Sequence, residues 1–535
     1  MVKLLALQGV LMLMYSIGSA QSGKENAVFS QYNIIQYGAI PDGKTNNTVA
    51  IQQAVDDCHS HGGGRIIIPT GRFVTGTIRL YSNMNLDLEA GAVLSGSTED
   101  KDYQFQKDFG FTGLGAGDKT GILVAHNEEN ISITGTGIIN GNGEFSMYMD
   151  SLQSGADFNL ANTRQGKDYM NPKYGRADGP VLWKGSYATR PGVMIIFSSC
   201  KNVRISNINI QQSPNWTIAF FNSSDIKVSG ITIENNMNIP NSDGIDMYDS
   251  KNITISDCVI QAGDDAIAVV SSSNITGTNC VLHSRSCGIR VGYNVYNDNN
   301  SGNLLFNNIR IYDSNRGIGI FQRRGGNMSY MIFSNFIINT RLHSGQWWGH
   351  GEPIHISSVP GLGAEETGMI SHLRFTNIEA SSESGIMIYG SGKGTIRDIY
   401  FDNVDLNILK SLLEAGYGGN IDLRPVNDVQ LGIFSHTIPA LFATGVDALT
   451  VRNMQVNWGS GLPEYFNHAL ECTNFGTVTI DGLTEESSKD GKGRNGATVY
   501  LHHGGTALVR DIHSTDKKKT LVLENVKTES NPNQY

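Results

Sequence analysis

Apolar and polar residues alternate along this chain in short runs that repeat. Val203-Arg-Ile-Ser-Asn-Ile-Asn-Ile210, Ile226-Lys-Val-Ser-Gly-Ile-Thr-Ile233 and Ile253-Thr-Ile-Ser-Asp-Cys-Val-Ile260 share one plan: alternation, a Ser/Asn/Gly pivot, then more alternation. The plan returns at Leu304–Ile311, Met331–Ile338, Leu373–Ala380, Tyr400–Leu406 and Leu449–Val456. From Val203 to Ile226 and from Ile226 to Ile253 the steps are 23 and 27 residues, within the range of solenoid periods. A period of two with many β-branched residues excludes a helical repeat. A propeller would need antiparallel hairpins in blades of ~40 residues. The pattern predicts an all-β fold, a right-handed parallel β-helix whose inward apolar side chains stack into ladders from coil to coil.

The flanks follow from the same pattern. Thr48-Val-Ala-Ile-Gln-Gln-Ala-Val-Asp-Asp-Cys58 has helical spacing and predicts a short N-terminal helix that caps the open end of the solenoid. Residues 144–190 break the alternation and predict a long loop insertion over a cleft. Residues 485–517 include a polar Gly/Lys-rich stretch that predicts a loop near the last coils. At the start, Lys3 precedes an apolar run from Leu4 to Ile17, then Gly18-Ser19-Ala20. This is the form of a signal peptide, residues 1–20, with cleavage near Ala20 and export to the periplasm or beyond. The run is too short to span a bilayer comfortably, and no other stretch approaches ~18 apolar residues, so no membrane span is expected. Residues 21–535 then form a single β-helix catalytic domain, expected to be a monomer.

Composition changes the picture little. Gly is abundant, at 62 residues, which suits many tight turns. Net charge is −10 with no long basic run, which argues against a nucleic-acid partner. Six Cys are present without a CxxC, and the His residues are scattered, so no zinc or other metal site is expected. Export permits disulfides, and buried thiols and one or two bridges stay equally open.

The chemistry concentrates in two short motifs. Asp243, in Asn241-Ser-Asp243-Gly-Ile-Asp246, and Asp264, in Gly263-Asp264-Asp265, stand 21 residues apart, about one coil. Adjacent coils therefore bring Asp243, Asp264 and Asp265 to one face. Three crowded carboxylates cannot all ionise easily, so at least one keeps its proton beside ionised neighbours, as glycoside hydrolysis requires. Asn and Asp also cap turns throughout such solenoids, and that is the reading the trio competes with.

These motifs resemble those of the polygalacturonase (pectinase) family of glycoside hydrolases, family 28. So do Tyr37–Lys44, Gly62–Pro69, Gly135–Gly143, Arg190-Pro191 and Ser213-Pro-Asn-Trp216. The resemblance implies an inverting hydrolase of pectin or a related acidic polysaccharide that needs no cofactor. Asp264 would be the general acid, Asp243 and Asp265 would activate water, and Asn241 would lie in the substrate site. Two family motifs are altered. The His of Gly-His-Gly falls at Cys287, and the Arg-x-Lys that grips the galacturonate carboxylate falls at Gly319 and Phe321. Substrate is therefore expected to differ from plain homogalacturonan, with Arg290 and Arg323 as relocated anion ligands. His283, four residues before Cys287, is not at the motif position. Trp347 and Trp348, with Glu352, suggest a sugar-stacking wall and a further ligand. Other function classes for this fold are a polysaccharide lyase, with Arg290 as base, and a glycan-binding solenoid without catalysis.

Overall fold

The computed structural model describes residues 30–528 apart from 116, 149–157, 170, 175–181, 184–189, 294–296, 346, 393, 489–493 and 517. The expected signal peptide lies outside the described residues. Within them the chain winds a right-handed parallel β-helix, built from a 23-stranded and a 14-stranded sheet with in-register parallel pairing.

One coil shows how the sequence builds the rest. Ile267–Val270 runs in the 14-stranded sheet, and a turn at Ser271 leads into the long strand Ser273–Ser284. That strand bends at Asn279, which has φ of 55°, and a turn at Arg285 and Ser286 starts the next coil at Cys287. The pivot of the repeat is this bend. Asn308, Asn335, Asn377 and Asn403 take the same left-handed backbone, which Asn tolerates better than most residues. Their side-chain amides bond from coil to coil, as from Asn308 Nδ2 to Asn279 Oδ1 at 2.7 Å. Inside, Phe306, Phe333, Phe375 and Phe401 stack at centroid distances of 5.7, 5.1 and 4.9 Å. The N-terminal helix α1, Thr48–Ser60, buries Ile51, Ala54, Val55 and Cys58 and covers the first coils, as expected.

Five strands of the 14-stranded sheet carry the site: β1 Ile245–Tyr248, β2 Ile267–Val270, β3 Cys287–Gly292, β4 Arg316–Gln322 and β5 Ile354–Ser358. Their register makes one outward row of Asp246, Ala268, Arg290, Gly319 and His355.

Two expectations change. Residues 485–517 are not one loop, because Val499–His502 and Thr506–Ser514 continue the coils to the C-terminal end. All six cysteines are buried free thiols. Insertion 144–190 does leave the solenoid. Its Met147–Tyr148 pairs antiparallel with Leu182–Trp183. Its Arg164 backbone donates to Asn420 Oδ1 at 2.8 Å, and the Arg164 guanidinium donates to the His436 carbonyl at 2.9 Å. Phe158 and Tyr169 form an apolar cluster with Leu342, Tyr417 and Ile433. The described residues of the insertion thus form a strap, leaving the helix before the coils that carry the aspartates and docking on segments that emerge after them.

Candidate active site

Asp243 precedes β1, and Asp264 and Asp265 precede β2. The two turns touch: Gly263 N donates to Ser242 Oγ at 3.1 Å. A Cβ at Gly263 would lie 2.5 Å from both the Ile239 carbonyl and Ser242 Oγ, so this approach needs glycine. One oxygen from each of Asp243, Asp264 and Asp265 lies within 4.8 Å of the others. The coil spacing did bring the trio together.

Asp243 and Asp265 are almost fully buried, while Asp264 keeps partial access to solvent. Burial, then the neighbouring Asp265, pushes the Asp264 carboxyl up to about 7, against the pull of Arg290. Burial, then Asp246, Asp264 and Asp265, pushes Asp243 well above the usual range. Asp265 is the paired member. It accepts from Cys287 N at 3.0 Å and from Arg290 Nε.

Arg290 was expected to grip substrate. It is 5% exposed, paired with Asp265, donates to the Gly292 carbonyl at 2.8 Å and lies 3.8 Å from Asp246 Oδ1. It serves as the counter-ion of the carboxylates. Asn241 sits at the site through its backbone: its N–H donates to Asp264 Oδ2 at 3.3 Å, while Arg190 reaches its side-chain oxygen at 3.5 Å. Arg190 also donates to the Pro214 carbonyl at 2.7 Å and to the Pro240 carbonyl, bracing the turn.

The altered motifs have a packing explanation. Gly319 stands beside Arg290, where a Cβ would lie 2.4 Å from the Phe321 ring and 2.8 Å from Cys287 Sγ. Phe321 has folded over the missing side chain. Its ring lies between Arg316 and Arg323, whose guanidinium carbons are 5.0 and 5.4 Å from its centroid. Arg323 is fully buried and donates to Ser357 Oγ at 3.0 Å and the Leu423 carbonyl at 2.9 Å, so it is not presented to a substrate in this structure.

Glu352 is likewise internal. It is 1% exposed, accepts from His350 N at 2.6 Å and pairs with Arg316 at 3.4 Å and His355 at 3.3 Å. Burial opposes ionisation, but Arg316 and His355 hold the Glu352 carboxyl down to about 2. Trp347 is buried, and its carbonyl accepts from Arg424 at 2.9 Å. Trp348 is the half-exposed member and meets Tyr293 edge-on at 5.2 Å. Tyr293, with φ of 61° and its ring 5.6 Å from the Arg290 guanidinium carbon, extends this aromatic wall to the carboxylates. No sequence signal marked Tyr293, because a positive φ in a bulky residue is invisible in the pattern. Asp246 was visible in the motif, but its place beside Arg290 was not. His283 faces Asp313 at 3.1 Å, away from the motif position.

Two packed groups flank the aspartate coils along the outward face. Toward the N-terminus, Phe109 and Trp216 cover Val124, Ile196 and Ala219. Toward the C-terminus, the strap's Tyr169 hydroxyl meets His350 Nε2 at 3.1 Å. Among the described residues the three aspartates are also the one group whose oxygens could hold a cation.

Residues 176–411 match the profile of glycosyl hydrolases family 28. The chain is family 28-like. It is 34% identical to the exo-poly-alpha-D-galacturonosidase of Dickeya chrysanthemi over 44% of this chain and 41% of that protein. It is 29% identical to a probable polygalacturonase of Vitis vinifera over 43% of this chain and 42% of that one. The matches thus span less than half the length of these relatives. The structure of the Yersinia enterocolitica family 28 exopolygalacturonase superposes with a TM-score of 0.57 at 18% identity, covering 93% of this chain and 77% of that one. That likeness supports the β-helix fold of the family 28-like chain.

Proposed function

We propose that this protein is a glycoside hydrolase that removes units from the ends of pectin or a related acidic polysaccharide. One observation carries the reading: Asp264, the trio's solvent-reaching member, holds its proton up to about pH 7 beside a carboxylate already paired with Arg290. Asp264 protonates the leaving oxygen, Asp265, the carboxylate paired with Arg290, takes the proton of the attacking water, and Asp243 helps to orient that water. Terminal cutting is supported by the strap, which packs on His350 beside the Trp347–Trp348 loop, and by the name of the Dickeya chrysanthemi relative, an exo-acting enzyme. A substrate other than plain homogalacturonan is supported by Phe321 and Gly319 occupying the clamp positions while Arg290 and Arg323 are engaged within the protein. Export after removal of residues 1–20 belongs to the same reading.

A lyase would need Arg290 as its base. Burial lowers the pKa of this guanidinium, but Asp265, Tyr248 and the other carboxylates outweigh burial and hold it well above its ordinary value, which unsuits it for that role. Inversion is carried by the family resemblance. The anomer first released, read by NMR, decides the stereochemistry.

The test is reducing-end release with product sizing on polygalacturonate, rhamnogalacturonan and a sulfated galactan, with Asp264→Asn in parallel. The expected result is short products from chain ends of one polymer, lost in the variant. Turnover that survives Asp264→Asn, or turnover of none of the polymers by the wild type, would overturn the reading.

A further inference from the structure

On the 23-stranded sheet, around the corner from the aspartates, a second ladder of left-handed residues runs along the helix axis. Asp225, Asn252, Asn274 and Asn303 occupy it on successive coils, with φ between 56° and 59°. Their side chains bond in series, as from Asn303 Nδ2 to Asn274 Oδ1 at 3.2 Å. The next two rungs break the rule. Tyr330 stands in register between Asn303 and His372, with φ of 59°, and His372 has φ of 56°. Asp398 then resumes the ladder at φ of 55°. A left-handed backbone is tolerated by Asn and Asp but is a genuine outlier for a bulky side chain, and such strain collects at functional sites.

These two residues form a platform. Their rings stack at 4.6 Å with an interplanar angle of 19°. Tyr330 is 59% exposed. In the adjacent outward row, Leu305 and Ile332 are 40% and 45% exposed, and Arg374 closes the row. Together they line an open groove of about 630 Å³ that runs across the coils. His372 still continues the ladder, its Nε2 3.7 Å from Asp398 Oδ2, but neither core packing nor that ladder accounts for the exposed Tyr330 ring stacked on it at a strained position. A flat ring flanked by apolar C–H surface, with amides along one edge and the Arg374–Asp398 pair, joined at 2.8 Å, along the other, is the chemistry that holds a sugar ring: its C–H face on the aromatic and its hydroxyls on the amides and the ion pair.

We propose that the Tyr330–His372 groove is a non-catalytic docking site for a second stretch of acidic polysaccharide. It retains the polymer while chain ends are processed around the corner. The glycan class rests on the proposed function, but the site is tested separately from turnover. In an Asp264→Asn background, retention is measured by affinity electrophoresis in gels holding polygalacturonate or rhamnogalacturonan, with excess trisaccharide of the same polymer present to occupy the catalytic cleft. Tyr330→Asn is the test substitution, because Asn suits the left-handed backbone and should leave the melting temperature unchanged or raised.

The expected result is retention by at least one polymer that falls five-fold or more with Tyr330→Asn. In active enzyme, turnover of the polymer falls several-fold while that of the trisaccharide is unchanged. Undiminished retention in the variant, or no retention on either polymer, overturns the docking site even if the enzyme cuts. Tyr330-dependent retention by a protein that cuts nothing would overturn the proposed function and leave this site standing. A dimer lost on Tyr330→Asn, without a change in glycan retention, would assign the groove to a second copy of the chain and overturn the proposal.

Discussion

Two buried ionic clusters lie on the same outward face and titrate in opposite directions. Around the aspartates, Asp243, Asp246, Asp264 and Asp265 share one cation, Arg290. Burial raises Asp246 well above the usual range, and Asp243 and Asp264 are raised with it. Under the strap, Glu352 and Asp422 share Arg316 and Arg424, with His350 and His355 beside them. There, Arg424, His350 and Arg316 overcome burial and hold Asp422 well below its usual range. The residue types are alike, and the ratio of cations to carboxylates decides. A carboxylate excess keeps a proton on the cluster, whereas matched charges keep the carboxylates under the strap ionised.

The largest effect expected is on turnover. Asp264→Asn should lower kcat by about 10²–10⁴-fold, the contribution of a general acid, read by reducing-end release. A smaller loss would show that the carboxylate excess is not what drives the reaction.

Next is the strap. Glu352→Gln leaves Arg316 with Asp422, at 3.7 Å, as its remaining carboxylate and should cost up to about 3 kcal/mol in urea unfolding. A cost near zero would show that the matched network does not hold the strap. Between the clusters, Gly319→Ala should cost about 1–3 kcal/mol, because the methyl must displace Phe321 or Cys287.

The smallest effect separates the clusters by pH. Folded Asp264 keeps its proton to about 7, while the unfolded chain releases it near 3.8. The unfolded state therefore binds fewer protons between these values, and this group's contribution to stability falls as pH rises through that window. Asp264→Asn should remove that slope and raise stability at pH 7 relative to the wild type. The strap runs the other way. Burial, then Arg316, lowers His355 from 6.5 to about 4, and Glu352 is lowered from 4.5 to about 2. Their stabilisation is complete above pH 6.5 and is lost as pH falls, first through His355 and then through Glu352. Denaturant midpoints across pH 3–8 for wild type, Asp264→Asn and His355→Gln read both slopes.

Repetition made the fold legible. Alternation names the inward residues, the Asn pivot names the bend, and a parallel in-register stack follows because each coil can bury its apolar side only against the next. The trio was legible for the same reason, since 21 residues return the chain to the same face one coil on. Arg290, Arg323, Trp347 and Glu352 were harder. Outward parity marks Arg290 and Arg323, and a paired-Trp loop marks Trp347 and Glu352, as substrate-site candidates, yet each is engaged by partners from other segments. Arg323 reaches Leu423, Trp347 meets Arg424, and Glu352 meets an arginine from the preceding coil.

The sequence by itself determined the solenoid and the coil that carries the aspartates, because both depend on spacing along one repeating strand. Only the tertiary structure decided which charges meet. It set Arg290 against Asp265 and turned Phe321 over Gly319. It also drew residues 158–174 across to the segment near 420, because segments that leave the repeat escape its period and are placed by packing alone.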